Sequence, residues 1–222
     1  METMRDQAVF KPEWHAYLLE ENGGYVAEGL SHMEHYRGKF GSRAGSLDET
    51  IRKAGQADGA AFKGWEWRGN TMAGHRLIAL ARRHGKDHEA SELLFRKAYE
   101  EGANLSDTAE VVDVGERLGL PGVAEYVGDQ SAGREEVEED DMFGKMRLEV
   151  SGVPLFLVGL EDSQKRYSFS GAQPPDNFSQ IFSKLLQEAA AAGSVGEGQV
   201  ATAVQEGKAA GGGSCDATGG CQ

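Results

Sequence analysis

The hydrophobic pattern divides the chain into a long helical stretch and a shorter stretch of strands. From residue 31 to about residue 149, apolar positions recur every three or four residues, which is typical of helices with one buried face. The pattern then changes to the run VPLFLVG and the alternating segment RYSFSG, which predict two strands, and PPDNFSQIF opens a last helix. Near the start, WHAYLL predicts one more strand, whose inward face would carry Trp14, Ala16 and Leu18.

Polar residues with helix-capping geometry set the predicted boundaries of these helices. Ser31 and Glu34 have the spacing of a capping box, in which the serine hydroxyl accepts a bond from the third amide of the helix. Ser46 repeats this spacing, and Asp107 does so before VVDVGERLG. The acidic run REEVEEDD predicts a further helix with a mostly solvated face.

The order of elements is strand, long helical insert, strand, strand and helix, which predicts an α/β fold. We expect residues 1–192 to form one domain, with the helical insertion at about 30–149 and the closing strands and helix at 150–192. The composition of residues 193–222 is rich in Gly, Ala and Ser and has no sustained periodicity. That composition predicts a disordered tail.

The charge of the chain disfavours two classes of partner. Its formal net charge of −13 disfavours binding to the phosphates of nucleic acid and to anionic membrane surfaces. No apolar run approaches the roughly 18 residues that a membrane span needs. The first residues lack a basic flank followed by an apolar segment, so a cytoplasmic location is expected.

Residues that could ligate a metal or carry thiol chemistry are few. The two cysteines, Cys215 and Cys221, both lie in the predicted tail, so a disulfide framework or a thiolate zinc site in the body of the protein is excluded. No G-x-G-x-x-G junction follows a predicted strand. Two histidine pairs have ligand-like spacing, His32 with His35 and His84 with His88. Neither pair has a third ligand, so no metal is expected, and no cofactor is expected either.

The dipeptide Val153-Pro154 stands at the start of the predicted strand VPLFLVG. Proline cannot donate to a sheet ladder and is tolerated mainly at the first residue of a strand or on a sheet edge. An X-Pro bond at such a position can also be cis. Taken alone, the dipeptide is most simply an ordinary strand-initiating proline.

Four segments that occur in order give the dipeptide a more specific meaning. They are RGNTMAGHRL at 68–77, LLFRKAYEEGANLSD at 93–107, VSGVPLFLV at 150–158 and YSFSGAQPPDNF at 167–178. They resemble the NTxxAHRL signature, the LFxAYFxEGxxIxD segment, the cis-proline loop and the SGAQPPExF segment of the DsbA-like branch of the thioredoxin superfamily, most closely its FrnE-type proteins. Gly74 stands where that signature commonly has Ala. The resemblance implies a thioredoxin-like fold with a large helical insertion.

The resemblance also implies a function, which is oxidation or reduction of thiols and disulfides in protein substrates, with glutathione as a further candidate partner. It assigns substrate binding to Val153 and Pro154, whose backbone would pair with a peptide as an added strand. It places Asn70 and His75 near the groove that faces the redox motif. The alternative for this second pair is structural, with Asn70 or Thr71 capping a helix and His75 packed half-buried.

The redox motif of that family has no counterpart in the first ten residues. The family carries a C-x-x-C pair after its first strand, where a helix N-terminus stabilises the thiolate. We therefore expect an N-terminally incomplete domain without the first strand and the redox pair, so the catalytic residues stay unassigned and enzymatic activity stays open. Three explanations are open: a fragment of a longer protein, a strand formed by residues 1–10, or pairing of residues 14–19 with 155–159.

Two other functions are consistent with the same fold. The first is a glutathione-dependent isomerase or transferase similar to the 2-hydroxychromene-2-carboxylate isomerases, for which Thr3 would be the hydroxyl available in the first nine residues. The second is a non-catalytic peptide-binding or chaperone module that keeps the docking loop at Val153 and Pro154.

Overall fold

The computed structural model describes residue 4, residues 7–20, 27–60, 62–161 and 163–191, and the backbone of 200–202. The chain forms two compact units. Residues 14–142 make up the helical unit, and residues 1–13 together with 143–222 make up the sheet unit.

The chain combines short strands with longer helices, and five helices follow one another between the third and the fourth strand. In chain order they are β1 (Val9–Lys11), β2 (Leu30–Ser31), α1 (His32–Phe40), α2 (Ala44–Ala57), β3 (Trp67–Arg68), α3 (Met72–Arg82), α4 (Asp87–Tyr99), α5 (Thr108–Arg117), α6 (Val123–Gly128), α7 (Arg134–Met146), β4 (Leu155–Gly159), β5 (Arg166–Ser170), α8 (Pro175–Ala191) and β6 (Val200–Thr202). Helices with small two-stranded sheets are compatible with the predicted α/β class. Within the described ranges, no helix is both long enough and apolar enough to cross a membrane.

The core of the helical unit lies among α3, α4, α5 and α6. Leu77 of α3 is completely buried there, because apolar positions on these helices recur at the spacing of a helical face. Gly115 of α5 contributes by its size, since a Cβ atom at this position would collide with the side chain of Val123. The buried members of this core are Leu77, Leu80, Ala81, Ala90, Leu94, Val111, Val114, Leu120, Val123 and Val127.

A buried arginine fastens the end of α6 to this core. Arg76 of α3 is 3% exposed, and its guanidinium donates to the carbonyl oxygens of Tyr126 at 2.6 Å and Ala132 at 2.5 Å. It also donates to the carbonyl of Asp129. The last carbonyls of a helix have no partner within the helix, so the side chain of Arg76 satisfies acceptors that would otherwise be buried unpaired.

The capping predictions are confirmed for two helices and wrong for a third. The hydroxyl of Ser31 accepts the N–H of Glu34 at the start of α1, and the carboxylate of Asp107 accepts the N–H of Ala109 at the start of α5. Ser46 is not a cap, because a 3₁₀ turn at 41–43 leads directly into α2 and the helix begins two residues earlier. Its hydroxyl instead donates to the carbonyl of Arg43, at 3.0 Å.

The sheet unit contains two pairs of strands and the helix α8. β1 pairs with β6 in parallel, from Val9 opposite Val200 to Lys11 opposite Thr202. β4 pairs with β5 antiparallel, with Leu155 opposite Ser170. Aromatic rings from β4, β5 and α8 pack on one face of this hairpin: Phe178 of α8 lies edge-on to Phe156 and to Phe169, with ring centroids 4.9 Å apart in each pair.

Two sequence-based expectations about strands need correction. The predicted strand WHAYLL is wrong, because residues 12–18 have no regular secondary structure and the strand at this end of the chain is β1, at Val9–Lys11. Residues 200–202, which we expected to be part of a disordered tail, form β6. The rest of that predicted tail and Thr3 lie outside the described residues.

The role of Arg76 can be tested by replacing it with an apolar side chain of similar length. Arg76→Met should lower the free energy of unfolding by about 2–3 kcal/mol, because several buried carbonyl groups lose their donor. The measurement is urea-induced unfolding followed by circular dichroism. The matched control is Arg83→Met, whose side chain is 54% exposed in an ion pair with Glu136, and it should cost less than about 1 kcal/mol. Equal losses in the two variants would contradict the capping role of Arg76.

Candidate functional site

The loop that leads into β4 is exposed along its whole length. Residues 151–154 are all exposed, and Val153 is 40% accessible to solvent. The Val153–Pro154 peptide bond is cis. We call residues 151–154 the docking loop.

The end of the docking loop is fixed to the hairpin of β4 and β5. The carbonyl oxygen of Pro154 accepts the N–H of Gly171 at 2.8 Å, one residue beyond β5. Gly171 has φ of +78°, a backbone conformation that glycine adopts without steric cost. Behind this bond, the rings of Phe156 and Phe169 stack with centroids 5.1 Å apart. The loop therefore projects from a packed hairpin.

Val153 has unused hydrogen-bonding capacity. Within the part of the chain that the structure describes, neither its N–H nor its C=O bonds to another protein group. Main-chain groups are obligatory hydrogen-bonding groups, so these two need a partner from outside the described residues, such as water or a bound peptide. An extended peptide could satisfy both of them.

Asn70 and His75 lie at the start of α3 in the helical unit, whereas Val153 and Pro154 lie in the sheet unit. The side-chain oxygen of Asn70 accepts the N–H of Met72, the first residue of α3, at 3.0 Å, while the N-cap position of the helix is Thr71. Its own N–H donates to the hydroxyl of Ser106 at 2.6 Å.

His75 is half-buried on α3. Burial lowers the pKa of this histidine, while the negative charges of Asp141 and Asp140 act in the opposite direction. The neutral imidazole that results can both donate and accept a hydrogen bond.

An extended segment beside α7 is held by three carboxylates. The N–H groups of alternate residues donate to them: Trp14 to Asp87 at 3.2 Å, Ala16 to Asp140 at 3.2 Å, and Leu18 to Asp141 at 2.7 Å. Alternate amides of an extended chain point to the same side, so the aspartates replace the acceptors of a neighbouring strand. This explains why the alternating pattern of WHAYLL predicted a strand where the chain has none.

Asp140 is the centre of this arrangement. Besides the N–H of Ala16, it binds the Nδ1 atom of His15 at 2.9 Å and the guanidinium of Arg82 at 3.0 Å. Burial opposes ionisation of Asp140, but the bonds to His15 and Arg82 outweigh it and hold the pKa of the carboxyl below its ordinary value. Asp140 is therefore charged at neutral pH and fixes the segment to α7.

A fully buried histidine, His32, begins α1 and contacts Asp48 of α2. His32 is 1% exposed, its Nε2 atom is 2.8 Å from Asp48, and its ring stacks on Trp65 with centroids 3.7 Å apart. Burial lowers the pKa of His32, although the bond to Asp48 opposes this. The described residues include no group of three or more His, Cys, Asp or Glu side chains that could hold a metal ion.

Comparison with known families assigns the chain to one of them. The sequence model of the DSBA-like thioredoxin domain matches residues 41–183, which is well over half of the chain. The chain belongs to the DSBA-like thioredoxin domain family. The matched region contains Asn70, His75 and the docking loop, and it ends before both cysteines. No curated protein is similar enough in sequence to match the chain.

Sequence reasoning missed most of the side chains that organise the DSBA-like domain. The acidic run predicts a solvated face for Asp140 and Asp141, although Val137 on the same helix is 1% exposed. A usable signal was present, because this valine interrupts the acidic run at the spacing of a buried helical position. Arg76 lies inside the quoted signature, but nothing local shows that its partners are carbonyls about 50 residues away.

Removing the charge of Asp140 should loosen the extended segment. We expect Asp140→Asn to lower the free energy of unfolding by about 2 kcal/mol at pH 7, since charged hydrogen bonds are lost in a partly buried place. The native pKa lies below the unfolded value of 3.8, so the advantage of the wild type exists above that value and disappears as the pH falls through the native pKa. Urea-induced unfolding of the two proteins at pH 7 measures the loss of stability, and the same measurement at pH 3 shows whether the difference between them decreases. Glu138→Gln on the same helix, with a 51% exposed side chain, is the control and should have little effect.

His32 should make the stability of the domain depend on pH in a higher range. Its native pKa lies below the unfolded value of 6.5. Between these two pKa values, the unfolded chain binds a proton at this residue and the native state does not. The free energy of unfolding therefore has its full value above pH 6.5. It decreases as the pH drops from there towards the native pKa, by up to about 1.4 kcal/mol per pH unit. His32→Gln, which keeps a donor for Asp48 but does not titrate, should make the unfolding free energy fall less steeply as the pH drops below 6.5. An unchanged slope would show that His32 is not its source.

Proposed function

We propose that this DSBA-like domain docks an extended, cysteine-containing segment of a substrate protein on the docking loop, for thiol–disulfide exchange. The observation that carries the proposal is the exposed Val153, whose N–H and C=O have no partner among the described residues. A peptide that lies alongside Val153 gains two main-chain hydrogen bonds, as in other cases of strand addition. The Val153 side chain adds an apolar contact.

The family supports the chemical class of the substrate. The DSBA-like thioredoxin domain is a thiol–disulfide oxidoreductase type of domain in general, so the docked segment is expected to carry a thiol or a disulfide. Asn70 and His75 remain predicted substrate contacts. The neutral, half-buried imidazole of His75 is suited to bond a polar group of a bound peptide.

A finer assignment within the family rests on the segments that resemble FrnE-type proteins. Their residues form the first half of α3, the C-terminal part of α4, the docking loop with most of its hairpin, and the first turn of α8. Under this assignment, the partners are proteins with thiols or disulfides. A cytoplasmic location remains a prediction.

A second candidate function is a peptide-binding module without redox chemistry of its own. The observation in its favour is that the described residues contain no cysteine, while all four residues of the docking loop are exposed. Such a module would hold an unfolded segment through the same main-chain groups of Val153.

The docking loop can be tested with a peptide that cannot undergo exchange. The probe is fluorescein-labelled insulin B chain with carboxymethylated cysteines, and its binding to the full chain is followed by fluorescence anisotropy. Val153→Asp should weaken binding about tenfold, or about 1.4 kcal/mol, because a carboxylate would have to lose water beside the docked strand. The control is Leu19→Asp, at a leucine that is 64% exposed and lies in the helical unit, and it should bind like the wild type.

The same proteins separate the two candidate functions. Faster reduction of insulin by dithiothreitol in the presence of the wild-type chain would support exchange. Binding of the B chain without any effect on reduction would favour the binding module. If Val153→Asp binds the B chain as tightly as the wild type does, peptide docking at this loop is wrong for both.

A further inference from the structure

The turn that follows α7 ties the start of the docking loop to the last turn of that helix, within the sheet unit. The N–H of Leu148 donates to the carbonyl of Phe143 at 3.2 Å, and the N–H of Val150 donates to the carbonyl of Gly144 at 3.0 Å. Between these two donors, Glu149 has φ of +50°, a left-handed conformation with which chains commonly turn back at a helix end. The docking loop begins one residue after Val150, so it is held at both of its ends.

Met146 lies in this last turn of α7 and faces solvent. It is 74% exposed, more than any other large apolar residue in the part of the chain that the structure describes. The methionine side chain is unbranched and its sulfur is polarisable, so it adapts to apolar partners of different shape. Such a side chain suits a surface that has to accept segments of varied sequence.

A segment that docks on Val153 can reach Met146. Val153 is three residues beyond Val150, and three residues of extended chain span at most about 11 Å. The hydrogen bond from Val150 to Gly144 crosses to the helix, where Met146 is two residues further on, about 5 Å away between Cα atoms. With the width of that bond included, the two side chains stand on Cα atoms at most about 22 Å apart, which an extended segment of seven residues covers.

The thioether of Met146 also has a reaction of its own. Hydrogen peroxide transfers one oxygen atom to the sulfur, its O–O bond breaks, and the products are methionine sulfoxide and water. The sulfur loses two electrons and the peroxide gains them, so the step balances without any other reactant. The sulfoxide is polar, which removes an apolar contact, and methionine sulfoxide reductases convert it back to the thioether.

We propose that Met146 is an apolar contact for the segment docked at Val153 and a reversible oxidation site that weakens this docking. The inference rests on the proposed docking function and adds its regulation. The occupant of the exposed end of α7 is the docked segment itself, because the last turn of α7 and the docking loop form one continuous hydrogen-bonded surface. The substrate that fits this surface carries an apolar side chain within roughly seven residues of the position that pairs with Val153.

Methionines of graded exposure allow the oxidation site to be identified. Met142, one turn earlier on α7, is 57% exposed, and Met72 is 6% exposed. The full chain with Cys215→Ser and Cys221→Ser, in which thiol oxidation does not contribute, is treated with hydrogen peroxide, and sulfoxides are quantified by peptide mass spectrometry. The sulfoxide of Met146 should form at least about tenfold faster than that of Met72, because peroxide has to reach the sulfur. Equal rates would contradict an oxidation site at Met146.

The effect on docking is measured as the ratio of dissociation constants for the carboxymethylated B chain after and before peroxide treatment. In the same cysteine-free background this ratio should be about five, or about 1 kcal/mol. Met146→Leu keeps an apolar side chain but cannot form a sulfoxide, so its ratio should be close to one. The matched control Met142→Leu should keep the fivefold loss. Methionine sulfoxide reductases of both stereospecificities, with dithiothreitol, should restore the affinity of the oxidised protein.

The possible outcomes separate this inference from the docking function. A fivefold loss that persists in Met146→Leu would overturn the inference and leave peptide docking intact. Unchanged affinity in a sample whose Met146 is fully converted to sulfoxide would do the same. Met146→Gln, which is polar without oxidation, should bind the B chain about fivefold more weakly than its parent protein does before any peroxide is added. If the untreated parent protein does not bind the B chain, the docking function is wrong and the inference fails with it.

Discussion

The fold depends on hydrogen bonds that satisfy main-chain groups outside regular secondary structure. Its strands are two to five residues long, so sheet ladders satisfy few of its extended backbone groups. Side chains supply the remaining partners in the helical unit, where Asp140 and its neighbours accept amides and Arg76 donates to carbonyls. A buried group left unpaired costs about 1–3 kcal/mol, which is a large part of the stability of a domain. These charged residues are therefore structural, despite their surface-like composition.

The docking loop differs from the rest of the described chain because its main-chain groups at Val153 lack such partners. The functional proposal is based on this difference. The carbonyl of Pro154 is paired with Gly171, whereas the N–H and C=O of the adjacent Val153 have no partner among the residues that the structure describes. The stacked rings of Phe156 and Phe169 hold the hairpin behind it. A rigid support with two free main-chain groups needs little ordering when a peptide binds, so most of the interaction energy remains available for affinity.

Features encoded within a few residues could be predicted from the sequence. The caps at Ser31 and Asp107, the strands β4 and β5, and the position of Val153-Pro154 at the mouth of β4 all follow from local patterns. Local patterns could not decide whether WHAYLL is a strand. An alternating pattern indicates which residues are buried, but it does not show whether their N–H groups donate to the carbonyls of a neighbouring strand or to aspartates. Whether the amide of Val153 is free also depends on residues distant in sequence, so the candidate site was located by sequence and given its chemistry by the structure.

The pairing of β1 with β6 has a consequence for biosynthesis. Val9 and Val200 are opposite each other in the sheet, so nearly the whole chain must be made before this pair can form. At the usual 5–20 residues per second, the first strand waits about 10–40 s on the ribosome for its partner. During that time its edge is open to other chains, and a holding chaperone that recognises short extended segments would have its best opportunity to act.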